Sequence, residues 1–309
     1  MAERLKHVIE SQQFDRSFLE GELFPEAKKM ERVAKGRGNR ILKGKTVCNL
    51  FYEPSTRTRI SFETATTLLG GTNLSTENAA EFSSAIKGES LEDTVRVING
   101  YYHNAIVIRH KEEGAAARAA RASQIPIINA GDGMGQHPTQ ALLDVYTIYE
   151  RLGQVDGARV AMVGDLAHGR TVNSLAYLLA KFEGVSIEFI SPNIFRVQQG
   201  IKDYLERHNV LFSEGKSLTQ VLPEVDVVYM TRAQTERFAL GERFGPYNSD
   251  YKLSLERIQL MPEHAIVMHP LPRTDEIPED IDCDPRAAYF RQAQNGLYVR
   301  MALLDMLIG

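Results

Sequence analysis

The chain has 309 residues, 43% hydrophobic and 25% charged, with 36 Lys and Arg against 40 Asp and Glu and a net charge of −4. That length favours two domains, and the composition suits packed globular cores. The charge excludes bulk attraction to nucleic acid or an acidic membrane, so any anion site must come from a local arginine cluster.

In chain order, the N-terminal MAERLKHVIESQQFDRSFLE carries acidic residues and no apolar h-region, unlike a secretory signal. A strand is predicted over 45–52 (KTVCNLFY), with Cys48 as a buried thiol. A helix follows it. Thr58, Phe62, Ala65 and Leu69 fall on one face, and Gly70-Gly71 stop it. The segment NAAEFSSAIKGESLEDT is small and polar, with Lys87 just before a Ser90–Asp93 capping box. Strands are predicted at 105–109 (AIVIR) and 125–129 (IPIIN). The next helix takes Pro138 in its first turn, shows a Leu142, Val145, Tyr146, Tyr149 stripe and ends at Gly153. Further strands are predicted at 159–163, 186–190, 225–230 and 265–268, before a last stripe of Val299, Ala302, Leu303, Met306 and Leu307.

Near-continuous apolar strands alternating with helices argue for parallel sheets covered by helices. The expected fold class is α/β: two three-layer α/β domains with parallel sheets, about three strong strands on each side of the helix at 138–152. Bridging helices, the one at 138–152 among them, are expected to join them, with any active site expected in the interdomain cleft. The sequence has no repeat, low-complexity tract or Gly/Ser linker, so the boundary reads as a packed hinge. No run approaches about 18 apolar residues, so no membrane span is predicted. Cys48 and Cys283 form no C-x-x-C pair, disulfide framework or zinc site, and a reducing cytosol is the expected compartment.

In open α/β sheets, ligands bind beyond the carboxyl ends of the strands. Polar clusters follow six of the predicted strands. Ser55, Thr56, Arg57, Thr58 and Arg59 begin the helix after 45–52; they read either as a plain cap on a solvated face or as an anion cradle built on free N–H groups and a guanidinium fork. Arg109 closes the strand at 105–109. His137 and Gln140, three apart, share a face at a helix entrance, where a satisfied cap is the alternative. GDLAHGRT matches a P-loop spacing with Arg170 where the lysine would stand. Arginine is a bulkier fork, and no convincing Walker-B strand accompanies it, so carboxylate recognition suits it as well. Arg232, Gln234 and Arg237 follow 225–230, and His269, Leu271 and Arg273 follow 265–268; both turns also read as rigid surface loops. Pro270 and Pro272 restrict the backbone around the Leu271 carbonyl. A lone Lys87 in a polar loop reads as solvent-exposed.

Taken together, FYEPSTRTRISFE, SSAIKGESLEDT, IVIRH, NAGDGMGQHPTQALLD, MVGDLAHGRTVNSLA, YMTRAQTERF, MHPLPRTDEI and DPRAAYFRQAQNGLYVRMALL resemble the aspartate/ornithine carbamoyltransferase family, on its aspartate branch, over essentially the whole chain. STRTR is shared across the family and speaks for the donor alone. Ornithine enzymes typically carry an SMG loop and H-C-L-P; this chain lacks SMG and has His269-Pro270-Leu271-Pro272-Arg273. An acceptor with two carboxylates needs arginines, which would repel the extra cation of ornithine.

The resemblance implies that Ser55, Thr56, Arg57 and Thr58 hold the phosphate of carbamoyl phosphate. Arg109 bridges phosphate and carbonyl. Thr58, Arg109 and His137 polarise the carbonyl oxygen, Gln140 binds the carbamoyl amide, and Arg57, Thr58, Arg109 and His137 form the catalytic set. Arg170 and Arg232 clamp the L-aspartate carboxylates beside Gln234, with Pro272 and the Leu271 carbonyl orienting the amine. Ser83 and Lys87 reach in from a neighbouring chain of a homotrimer, Lys87 toward both substrates. The implied domains are 1–140 plus 290–309 for carbamoyl phosphate and 141–289 for aspartate. The implied product, N-carbamoyl-L-aspartate, belongs to an early step of de novo pyrimidine biosynthesis. No cofactor or metal is required, and the surface is open to regulatory chains or other pathway enzymes. The rivals are an ornithine-type acceptor and a non-catalytic ligand-binding homologue.

Overall fold

The computed structural model describes residues 5–82, 84–232 and 249–309. The chain divides into two compact units, Met1–Leu143 with Gln294–Gly309, and Asp144–Ala293. The first unit contains β1 (Thr46–Phe51), β2 (Thr72–Thr76), β3 (Ala105–His110) and β4 (Ile127–Asp132). Its longer helices are α1 (Phe24–Lys35), α2 (Thr56–Leu68), α3 (Leu91–Gly100) and α4 (Ala115–Ala122). The strands run parallel in the order β2-β1-β3-β4. The second unit contains β5 (Arg159–Val163), β6 (Ser186–Ile190), β7 (Leu211–Glu214), β8 (Val227–Met230) and β9 (Ile266–Met268), parallel in the order β7-β6-β5-β8-β9. With them run α6 (Arg170–Leu179) and α7 (Gln199–Arg207). The unit boundaries fall inside α5 (Pro138–Leu152) and α8 (Tyr289–Ile308).

Each sheet is held as parallel sheets are, by apolar cover. In the first unit, Leu91, Val95 and Ile98 of α3 and Ala115, Ala116 and Ala119 of α4 cluster with Cys48, Leu50, Ile106 and Ile108. The Cys48 thiol is buried as expected, and burial pushes its pKa up to about 11. On α2, Phe62 and Ala65 are fully buried, as their helical spacing predicts, and Gly70 turns the chain away with φ +80. A Cβ there would lie 3.0 Å from the Arg40 backbone, so the stop needs glycine for space as well as for conformation. In the second unit, Val163, Val228, Met230 and Val267 pack with Leu218, Leu222, Ile258 and Tyr289.

The expectation of about three strands per side falls short. Among the described residues the sheets have four and five strands, and the two missed outright, β2 and β7, are outer strands. Neither carries a long apolar run: β2 and β7 are only partly covered, unlike the other outer strands β4 and β9, which are fully buried. A polar contact secures β2: the buried Asn49 amide donates to Asn73 Oδ1 and Ser75 Oγ, both at 3.2 Å. The capping box before α3 forms by half. Ser90 accepts from the Asp93 amide at 3.1 Å, while the Asp93 carboxylate pairs with Arg96 at 2.8 Å. No helix among the described residues is long and apolar enough to cross a membrane.

Candidate active site

All strands of each sheet run one way, so their carboxyl ends share one edge. In the first unit β2 lies on one side of β1, with β3 and β4 on the other. The connectivity therefore reverses between β1 and β3, the switch point where such sheets open a crevice. Phe51 pairs with Arg109 across it, so the STRTR turn and Arg109 leave the sheet at the same place.

Ser55 is the N-cap residue of α2, with extended backbone (φ −160, ψ 93), yet its hydroxyl makes no capping bond. A plain cap would spend that hydroxyl on the first-turn N–H groups. Thr56 and Arg57 are exposed, and Thr58 is buried. Arg59 has a different role from Arg57. It pairs with Glu63 at 2.9 Å and with Glu77 at 3.0 Å, tying the helix to the chain beyond β2. Arg109, half-buried, donates to Ala130 O at 3.3 Å and pairs with Glu53 Oε2 at 2.8 Å. Glu53 was not singled out from the sequence; an acid just ahead of an arginine cradle was the available signal.

The loop after β4 is built by Asp132. Its carboxylate accepts from the amides of Gly114 and Gln136, both at 2.9 Å, and from the Asn129 side chain at 3.1 Å. Gly133 has φ +49, and a Cβ on it would meet Glu113 N at 2.7 Å, so the tight return is possible only for glycine. This loop delivers His137 to the start of α5, where its carbonyl accepts from the amides of Gln140 and Ala141 at 3.0 and 3.2 Å. The imidazole is 5% exposed, with Nδ1 3.4 Å from Thr139 Oγ1. Gln140 is half-buried one turn on. Lys87 ends a short 3-10 turn, Ser84–Lys87, and is exposed. Ser83 lies outside the described residues.

The second unit repeats the arrangement. Here β6 and β7 lie on one side of β5, with β8 and β9 on the other, and Val163 pairs with Met230 at the reversal. The Gly164–Thr171 turn and Thr231–Arg232 thus exit together, and Thr231 Oγ1 donates to Val163 O at 2.9 Å to join them. Buried Asp165 accepts from His168 N at 3.1 Å and folds the turn. Arg170 opens α6 and is 5% exposed; Arg232 is half-buried. Gln234 and Arg237 lie outside the described residues.

After β9, Leu271 adopts φ +55 and precedes a cis peptide bond to Pro272. That left-handed conformation costs a non-glycine residue on the order of 1–3 kcal/mol unless its surroundings fix it. They do: the Leu271 amide donates to His269 Nδ1 at 2.8 Å, and His269 Nε2 lies 2.7 Å from Glu276 Oε1. Burial alone would push the Glu276 carboxyl up. The bonds from His269 and from the Thr274 hydroxyl and amide act against burial. Arg273 is engaged within the unit, with Asp282 Oδ2 at 2.7 Å and the Tyr289 hydroxyl at 3.0 Å.

Two parallel α/β units, each with hydroxyl- or arginine-bearing turns at the switch point of its sheet, define a protein suited to small anionic ligands. Residues 6–150 match the carbamoyl-P binding domain of the aspartate/ornithine carbamoyltransferases, and residues 156–307 match the Asp/Orn binding domain of the same family. The chain belongs to the aspartate/ornithine carbamoyltransferase family. It is 54% identical over 314 residues to the chloroplastic aspartate carbamoyltransferase of Oryza sativa subsp. japonica, covering 99% of this chain and 85% of that one. It is 47% identical over 305 residues to the aspartate carbamoyltransferase catalytic subunit of Methanocaldococcus jannaschii, covering 98% of each. The crystal structure of aspartate transcarbamoylase from Trypanosoma cruzi with carbamoyl aspartate and phosphate matches with a TM-score of 0.89 at 38% identity, covering 98% of this chain and 96% of that one.

Proposed function

We propose that this protein is an aspartate carbamoyltransferase, which transfers the carbamoyl group of carbamoyl phosphate to the amine of L-aspartate and releases N-carbamoyl-L-aspartate and phosphate, an early step of de novo pyrimidine biosynthesis. The observation that carries the acceptor is Arg170. It is a 5%-exposed guanidinium at the positive end of a ten-residue helix, where like charge meets like. Such a group suits an acceptor that brings carboxylates and repels one that brings a second cation. Arg232, leaving the neighbouring strand, supplies the second fork. The donor assignment rests on the α2 start, where the Ser55 hydroxyl is not spent on the helix and Arg57 and Arg109 stand at the same switch point.

In this reading Ser55, Thr56, Arg57 and Thr58 hold the phosphate, and Gln140 binds the carbamoyl amide. The aspartate amine attacks the carbonyl carbon. Thr58, Arg109 and His137 meet the negative charge that builds on the carbonyl oxygen, each donor contributing roughly 3–4 kcal/mol to the barrier reduction. The departing phosphate takes the amine proton. Arg170 and Arg232, with Gln234, hold the carboxylates, and the Leu271 carbonyl and Pro272 orient the amine. The working form is a homotrimer in which Ser83 and Lys87 complete a neighbour's site. The cytoplasm is the proposed compartment, with the chloroplast named for the rice relative as the alternative that cell fractionation would decide.

The test is product formation from carbamoyl phosphate with a panel of acceptors. Carbamoyl aspartate is expected to form far faster than citrulline. Faster turnover of ornithine would overturn the acceptor assignment, and binding of carbamoyl phosphate without any product would overturn the enzyme assignment.

A further inference from the structure

His269 precedes the turn that the acceptor reading uses, and no step above assigns it a role. Its surroundings are unusually complete for a buried side chain. His269 is 2% exposed and Glu276 2%. The Leu271 N–H points at Nδ1, so that nitrogen carries no proton; the ring is neutral, with its proton on Nε2 toward Glu276. Two Thr274 donors share the same carboxylate. The His269 amide donates to Gln292 Oε1 at 2.8 Å, and the Gln292 amide donates to Asp144 Oδ1 at 2.7 Å. Asp144, fully buried, accepts from the Tyr229 hydroxyl at 2.8 Å. One chain of buried polar groups therefore runs from His269, ahead of the Leu271 turn, through Gln292 and Asp144 to Tyr229 on β8.

We infer that His269 is a positioning residue for the acceptor: as a neutral imidazole oriented by Glu276, it fixes the Leu271 turn so that the Leu271 carbonyl meets the aspartate amine. The inference rests on the aspartate reading and deepens it. The imidazole accepts the one backbone donor that locks Leu271 at φ +55. Glu276 sets the tautomer that leaves Nδ1 able to accept. A protonated ring, or a ring with its proton on Nδ1, would turn a donor toward a donor and release the turn.

Two conservative variants separate this role from general support of the fold. In asparagine the amide oxygen stands two bonds from Cβ, as Nδ1 does; in glutamine the amide nitrogen stands three bonds from Cβ, as Nε2 does. His269→Asn thus keeps an acceptor for Leu271 and loses the Glu276 contact, whereas His269→Gln keeps the Glu276 contact and loses the acceptor. Full-length wild type and both variants are assayed for carbamoyl aspartate formation, for thermal unfolding, and for inhibition by succinate, which is aspartate without its amine. His269→Gln is expected to raise the aspartate KM about tenfold, the loss of one hydrogen bond. Its carbamoyl phosphate KM and its succinate inhibition constant should stay at wild-type values. His269→Asn is expected to lose more thermal stability, because Glu276 is left short of a donor, and yet to keep an aspartate KM near wild type. If it does not fold, the His269→Asn/Glu276→Gln double variant replaces it under the same expectation. Losses that follow thermal stability across the variants, or that fall equally on aspartate and succinate, would overturn the positioning role and leave the enzyme assignment standing. Absence of product from wild type would overturn that assignment and this inference with it.

Discussion

At the scale of single residues, the two arginines of STRTR stand two apart and look alike in the sequence, and the structure separates them. Arg59 is spent on Glu63 and Glu77. Arg57 stands exposed on the first turn of α2, beside the switch point and the proposed phosphate. Ion pairs that stay partly open to solvent, as those of Arg59 do, are worth about 0–1 kcal/mol. Arg59→Gln is therefore expected to lower the unfolding free energy by no more than about 1 kcal/mol in urea titration and to leave the carbamoyl phosphate KM nearly intact. Arg57→Gln is expected to act on the reaction, with a loss of kcat/KM for carbamoyl phosphate of about a hundredfold or more, as when a charged fork is removed from a reacting phosphate. Equal kinetic damage from both substitutions would show that the division of labour is wrong. The Glu63 partner was within reach of sequence reasoning, since it lies four residues on along one helix. The Glu77 partner, on the far side of β2, was not.

At the scale of elements, what the sequence made legible was what burial writes into composition. Strands β1, β3, β5, β6 and β8 sit inside their sheets and carry apolar runs, and each was found within a few residues. The outer strand β2 is Thr-Asn-Leu-Ser-Thr, and its hold on the sheet comes partly from Asn49 reaching across to Asn73 and Ser75. Nothing in a periodicity of apolar residues records such a pairing. The same limit applies to the candidate site. The polar clusters were legible because parallel strands must deliver them to one edge. Glu53, Asp144, Tyr229 and Glu276 were not, because each matters through a partner that only folding brings near. Helix α2 joins the two kinds of information. Its apolar face was read from spacing, and that face sets where its polar start points. Phe62 is fully buried, with the Arg300 guanidinium 5.2 Å from its ring centre. Phe62→Ala is expected to cost about 3–5 kcal/mol of stability, the usual range for removing a buried ring. In protein that remains folded, it should also weaken carbamoyl phosphate binding, because the helix start loses its anchor. A stability change below about 1 kcal/mol in chemical unfolding would contradict this account of what fixes the helix.

At the scale of the whole molecule, the chain carries a net charge of −4, and the proposed anion sites lie in a few arginine-bearing turns. Lys87 fits that economy poorly when one chain is considered alone, since it is exposed at the end of a short turn while His137 is 5% exposed at the start of α5. The proposed homotrimer resolves the mismatch by letting Lys87 serve a neighbour's site. Around a three-fold axis every interface is of the head-to-tail kind, so each site draws His137 from one chain and Lys87 from the next. Lys87→Ala and His137→Ala homotrimers are each expected to be nearly inactive, for unrelated reasons. In trimers assembled from an equal mixture, random assortment places an intact His137 opposite an intact Lys87 at about one site in four, so activity should return to about a quarter of wild type in a closed ring. If Lys87 instead serves its own chain, every site in the mixture lacks one group or the other. Activity would then stay at the level of the separate variants. The measurement is carbamoyl aspartate formation by hybrids whose mixed composition is verified with a charge tag on one variant, and no recovery in those hybrids would sink the shared site.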